Sequence, residues 1–159
     1  MRHALLALAV IAAPAAAQEV ADMAPRDGWI VQPTDKDFAT LDQAVQDAAG
    51  EGGLAVVTRA GPTEVAAERG ETIPGNRVIG LFNNDIAVRL LRLSTPAMVE
   101  APLRMYVTEN ADGMATLSYV IPSVRLAPYV EGSADAEAFE AIAAELDGAF
   151  AAVAEAAQE

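Results

Sequence analysis

The segment 77–93, RVIGLFNNDIAVRLLRL, passes from a strand pattern into a helix pattern across two asparagines. Val78, Ile79, Leu81 and Phe82 form an apolar, β-prone run that breaks at Asn83 and Asn84. Ile86, Leu90 and Leu93 then recur at helical spacing, with Val88 and Leu91 alongside. The asparagine amides can cap the free N–H groups of the first turn, and Asp85 suits the positive end of the helix dipole. A strand that feeds straight into a helix fixes a sharp reversal at this point, and the other elements must pack around it. Such a turn also suits a ligand, because N–H groups and amide side chains converge on it.

The first twenty residues, MRHALLALAVIAAPAAAQEV, read as a secretory leader. Arg2 gives the positive start, residues 4–13 the apolar stretch, and Ala15-Ala16-Ala17 a small-residue cleavage site. The apolar run is shorter than the ~18–20 residues of a spanning helix. The expectation is cleavage after Ala17, a periplasmic location, and no stable membrane insertion. Residues 18–28 read as a flexible lead-in and 29–159 as one domain, of the usual ~100–150-residue size. A chain that long buries a core without staples, which matters because it has no cysteine.

The histidine and cysteine counts exclude the most chemistry. The single histidine is His3, inside the expected leader, and there is no cysteine. Ser-His-Asp and Cys-His nucleophilic sites are thereby excluded, as are zinc or iron centres built on imidazole or thiolate. The formal net charge of −13 becomes −14 when Arg2 leaves, and Lys36 is the only lysine. An acidic surface argues against nucleic acid and against anionic lipid.

In order along the chain, Gly28–Gln32 reads as a first strand closed by Pro33, with Trp29, the sole tryptophan, expected in the core. Asp35 or Asp37 caps a helix to about Ala49, buried along Phe38, Leu41, Val45 and Ala48. Gly50–Gly53 ends it, and Leu54–Val57 is a second strand, so the start reads as βαβ. A short helix over residues 64–69 and a turn over 73–76 precede the central strand. Pro96 stops the following helix, and PAMVEAP is an apolar connection that suits a groove or a dimer contact. Residues 103–109 and 114–121 form a hairpin around Asn110-Ala111-Asp112-Gly113. Residues 123–132 read as irregular, and a capped final helix carries Phe139, Ile142, Ala143, Leu146, Phe150 and Val153 on one stripe. The predicted class is α+β, a two-layer sandwich. Its sheet has about five strands and is antiparallel-rich, with at most about three helical segments on one face.

The segment 38–57, RVIGLFNN and APLRMYVTENADGMATLSY together resemble the domain of unknown function 302 family, over residues 29–153. The resemblance implies the order β-α-β-β-β-β-α, to which the residues here add a short helix. It also implies an outline similar to TATA-box-binding-protein-like folds and a small dimeric protein. Many sequences of that family have Asn-Pro where this chain has Asn83-Asn84. The resemblance implies no activity.

Asn83, Asn84 and Asp85, with Arg104 from the hairpin, are the candidate ligand site, since amides, a helix N-terminus and a guanidinium suit a small anion. A plain helix cap beside a surface arginine is the structural alternative. Met98, Met105 and Met114 lack the Met-x-x-Met spacing of copper sites, and core filling is expected. The Asn110–Gly113 loop lacks a calcium-binding pattern. Glu100 and Glu109 are carboxylates that nothing in the sequence brings together, and Tyr106, Tyr119 and Tyr129 are expected to pack. No cofactor and no metal are expected. The resulting expectation is a non-enzymatic homodimeric domain that binds a small anionic ligand or an envelope protein. The alternative is a hydrolase or isomerase built on carboxylates and arginine.

Overall fold

Alternation in the central strand decides how the layers form. In β3 (Asn76–Phe82), Ile79 and Leu81 are buried on one face, while Val78 and Gly80 turn to the other. The structure, a computed structural model, describes residues 21–159; residues 1–20, with the expected leader, lie outside the described residues. Around β3 stand β1 (Trp29–Pro33), β2 (Ala55–Ala60), β4 (Leu103–Glu109) and β5 (Ala115–Val120). Their spatial order is β1-β5-β4-β3-β2, with every neighbouring pair antiparallel. The helices are α1 (Phe38–Glu51), α2 (Thr63–Glu68), α3 (Asn84–Leu93), α4 (Pro122–Leu126) and α5 (Ala136–Ala156), with 3-10 turns at Pro96–Glu100 and Ala127–Tyr129.

This is the α+β two-layer arrangement. The chain starts β-α-β as expected, with β1 and β2 at opposite edges and α1 carrying the chain across the sheet between them. Residues 123–132 are not irregular throughout, because α4 and a 3-10 turn occupy 122–129. A five-residue helix started by Pro122 is too short to show a 3.6-residue period, so composition alone reads as loop. α2 is the short helix expected over residues 64–69, so α4 is the addition that brings the described helices to five.

Helix starts follow their capping residues. The carboxylates of Asp37 and Asp135 accept from the N–H groups of Thr40 and Ala138, and the Asn83 side-chain oxygen Oδ1 accepts from the Ile86 N–H at 3.0 Å. One apolar cluster joins Ile79, Leu81, Met105, Val107 and Leu117 to Leu41 and Val45 of α1 and Phe150 and Val153 of α5. A second joins Ile86 and Leu90 of α3 to Leu126, Phe139, Ile142 and Leu146. Leu103 packs against both. Each such side chain contributes about 1.5–3 kcal/mol by leaving water. Met105 is fully buried here, which gives it a packing role.

One charged residue breaks the apolar stripe of α1. Asp42 is 7% exposed, between Leu41 and Val45. Its carboxylate meets Arg59 of β2 at 2.7 Å and Arg77 of β3 at 3.7 Å, and Arg77 also binds Glu64 of α2. The pairs tie the β2–β3 edge to the helix layer.

Candidate functional site

The helices cover one face of the sheet, and the other face carries a cavity of about 700 Å³. Register builds its floor. Ala60, Val78, Tyr106, Ser118 and Val31 follow one another across the sheet as paired positions. On a second row, Gly80 stands opposite both Thr58 and Arg104, and Trp29 stands opposite Val120. Of these, Trp29, Ala60, Val78, Arg104, Tyr106, Ser118 and Val120 line the cavity, closed by Gly61 and Pro62 at one end and Arg125 of α4 at another. Gly61 is needed for that closure. A Cβ there would lie 2.2 Å from the Asn76 carbonyl oxygen, so any other residue pushes the β2–α2 turn off the strand.

The lining is mostly apolar and its charges have one sign. Arg104 and Arg125 are present, and no carboxylate of the described residues lines the space. Arg125 is held by Glu100 through its Nε. Arg104 is exposed and makes no ion pair among the described residues. Arg26 lies over the outer ring system of Trp29, 5.0 Å from its centroid, and stiffens that wall.

Glu100 sits behind this wall, with Tyr129 donating to it at 2.7 Å. Burial pushes its carboxyl up, but the hydrogen bonds from Tyr129 and Arg125 and the charges of Arg125 and Arg104 outweigh that and leave it below the ordinary 4.5. The same hydrogen bond raises the Tyr129 hydroxyl. A carboxyl lowered on folding stabilises the native state fully above its unfolded value, and that contribution is lost as pH falls through the folded value. Glu100→Gln is therefore expected to flatten the drop in Tm between about pH 5 and about pH 3, read by circular dichroism melts.

The four residues singled out in the sequence do not share one space. Arg104 lines the sheet-face cavity, whereas Asn83 lines a separate crevice of about 40 Å³ between β3, α3 and the 96–101 segment. Asn84 and Asp85 line neither and are exposed in the first turn of α3. Both ends of the Asn83 amide are engaged: its oxygen caps α3 and its nitrogen donates to the Gly53 carbonyl at 3.0 Å. Asn83→Ala is expected to lower stability by about 1 kcal/mol, as loss of an N-cap does, measured by urea titration. A side chain free to bind ligand would be replaced at little cost.

Sequence reasoning missed most of the cavity wall. Trp29, expected in the core, is half-buried on the open face. Tyr106 and Tyr119 both line the cavity, and the Tyr119 ring packs on Phe150 with centroids 5.6 Å apart. Glu109 accepts from the Gly75 N–H at 2.6 Å, at the far end of β4 from Glu100. Among the described residues, no group of three His, Cys, Asp or Glu side chains is placed to hold a metal.

The comparisons with known proteins agree on fold. A crystal structure of an uncharacterized conserved DUF302 protein from Bacillus stearothermophilus superposes with a TM-score of 0.71. It is 15% identical and covers 84% of this chain and 100% of its own. At that identity the likeness speaks for the fold alone. No curated protein matches the sequence. The family model for the domain of unknown function DUF302 matches residues 30–156, nearly the whole described chain, and the chain therefore belongs to the DUF302 family.

Proposed function

We propose that this chain is a non-enzymatic, periplasmic binding domain whose ligand site is the open-face cavity. The observation that carries the reading is the cavity of about 700 Å³, with apolar and aromatic walls and a few polar groups. That size and lining are those of small-molecule sites. The absence of carboxylates from its lining, among the described residues, weighs against the hydrolase or isomerase alternative. Glu100, the buried acid nearest the site, is held below its ordinary range, the wrong direction for a general acid at neutral pH.

The leader pattern of residues 1–20 supports the periplasmic location. No helix among the described residues is long and apolar enough to cross a membrane. Homodimer formation is proposed through the outer side of α3, where Val88 and Leu91 are exposed a helical turn apart, and through Val99, 76% exposed on the adjoining 3-10 turn. Light scattering tests it: Leu91→Glu with Val99→Glu converts a dimeric mass to a monomeric one, and a wild-type monomer contradicts it.

The binding reading is tested by amide chemical shifts during titration with N-phenylnaphthylamine, a small apolar ligand. Shifts grouped at Trp29, Val78, Tyr106 and Val120 support the cavity. Shifts confined to α3 or the core, or none at all, contradict it.

A further inference from the structure

Few cations serve this chain, and their placement around the cavity is one-sided. The formal net charge is −13 with ten lysine and arginine residues in all, yet the cavity is lined by two arginines and, among the described residues, no acid. Four arginines of the described residues, Arg59, Arg77, Arg89 and Arg125, are matched to carboxylates. Arg26, Arg69, Arg92 and Arg104 are not, and of these only Arg104 lines the cavity, with apolar Val120 and Val78 and aromatic Tyr106 and Trp29. An arginine with no ion-pair contact at the edge of an apolar cavity offers two parallel N–H donors to an incoming anion.

Resting on the binding reading above, we propose that the cavity takes a small organic anion with a single carboxylate-like head and an apolar body. Arg104 grips the head by a bidentate contact. Arg125 adds positive potential but keeps its Nε on Glu100, so it contributes less to the contact itself. Trp29, Val78, Val120 and Pro62 cover the apolar body. Zwitterions and cations are disfavoured, because no described lining residue supplies a negative charge. The acidic exterior does not prevent entry at physiological salt, where exposed charges beyond about 8 Å are largely screened.

Two dyes that differ only by a sulfonate test this: anilinonaphthalene sulfonate and neutral N-phenylnaphthylamine. Binding is read from dye fluorescence and placed in the cavity by shifts of the amide resonances of Trp29 and Tyr106, both of which line it. The expected result is tighter binding of the sulfonate, by about tenfold to a hundredfold, the range for one charge-assisted contact. Arg104→Gln is expected to remove that advantage, so that the two dyes bind alike. Arg104 is exposed and makes no ion pair among the described residues, so the variant is expected to fold normally. Equal affinity for the two dyes, or an Arg104→Gln variant that keeps the preference, overturns the anion assignment and leaves the binding site standing. Binding of neither dye overturns the site and this assignment with it.

Discussion

Phe150→Ala is expected to lower the stability of this protein by about 4 kcal/mol, the largest loss of any single substitution considered. Phe150 is 1% exposed, on the face of α5 that meets the sheet, and its ring packs on Tyr119 at a 58° tilt. Truncation removes the transfer energy of the ring and leaves a cavity between a 21-residue helix and β5, neither of which can close in without moving the other. The aromatic pair adds roughly 0.5–1.5 kcal/mol beyond area. Urea denaturation of variant and parent gives the difference directly. A loss below about 1 kcal/mol contradicts docking of α5 on its own sheet, since Phe150 would then be solvated already.

Asp42→Ala is expected to cost about 3 kcal/mol, for a different reason. The substitution keeps a good helix former in α1 but strips the carboxylate that meets Arg59 and Arg77. Arg59 is 45% exposed and is resolvated, so little of the loss comes from it. Arg77 is 13% exposed and keeps only Glu64, so most of the cost is its charge left in a confined space. The estimate stands at the lower end for a broken buried pair because Glu64 still compensates. Two controls separate this from a helix effect, both read by thermal melts. Glu64→Gln, at an exposed partner, is expected to leave the melt little changed, because solvent screens that pair. Asp42→Leu combined with Arg77→Met is expected to recover most of the loss, since an apolar pair there has no charge to desolvate. A recovery of nothing would mean that the polar cluster itself holds the β2–β3 edge in register.

How far the sequence disclosed the fold depended on the range of the interaction. The passage from β3 into α3 was legible because strand alternation, an Asn cap and a helical period all fall within residues 76–93. The stripe of α5 was legible for the same reason, with Phe139, Ile142, Ala143, Leu146, Phe150 and Val153 all buried as spaced. The neighbours of β1 were not legible: its partner is β5, just over ninety residues on by the pairing Trp29↔Val120, and no local pattern selects that strand over β2. The burial of Asp42 has no local signal either, because its partners come from β2 and β3.

The site was harder to see for a related reason. β3 and β4 carry apolar side chains on both faces, Val78 and Tyr106 as well as Ile79 and Met105, so alternation does not say which face the helices cover. Trp29 was therefore placed in the core, although it belongs to the open face. Arg104 is legible as a guanidinium suited to an anion, and it does line the cavity. Asn83 stood out for its turn chemistry, which is spent on capping α3 and on Gly53.

Native mass spectrometry of the protein purified gently from periplasm tests the central claim most directly. The cavity predicts an added organic mass that survives native spray, is lost on denaturation, and is absent from the Arg104→Gln variant. Polypeptide mass alone, unchanged after incubation with periplasmic extract, would contradict a ligand-binding function for the open face.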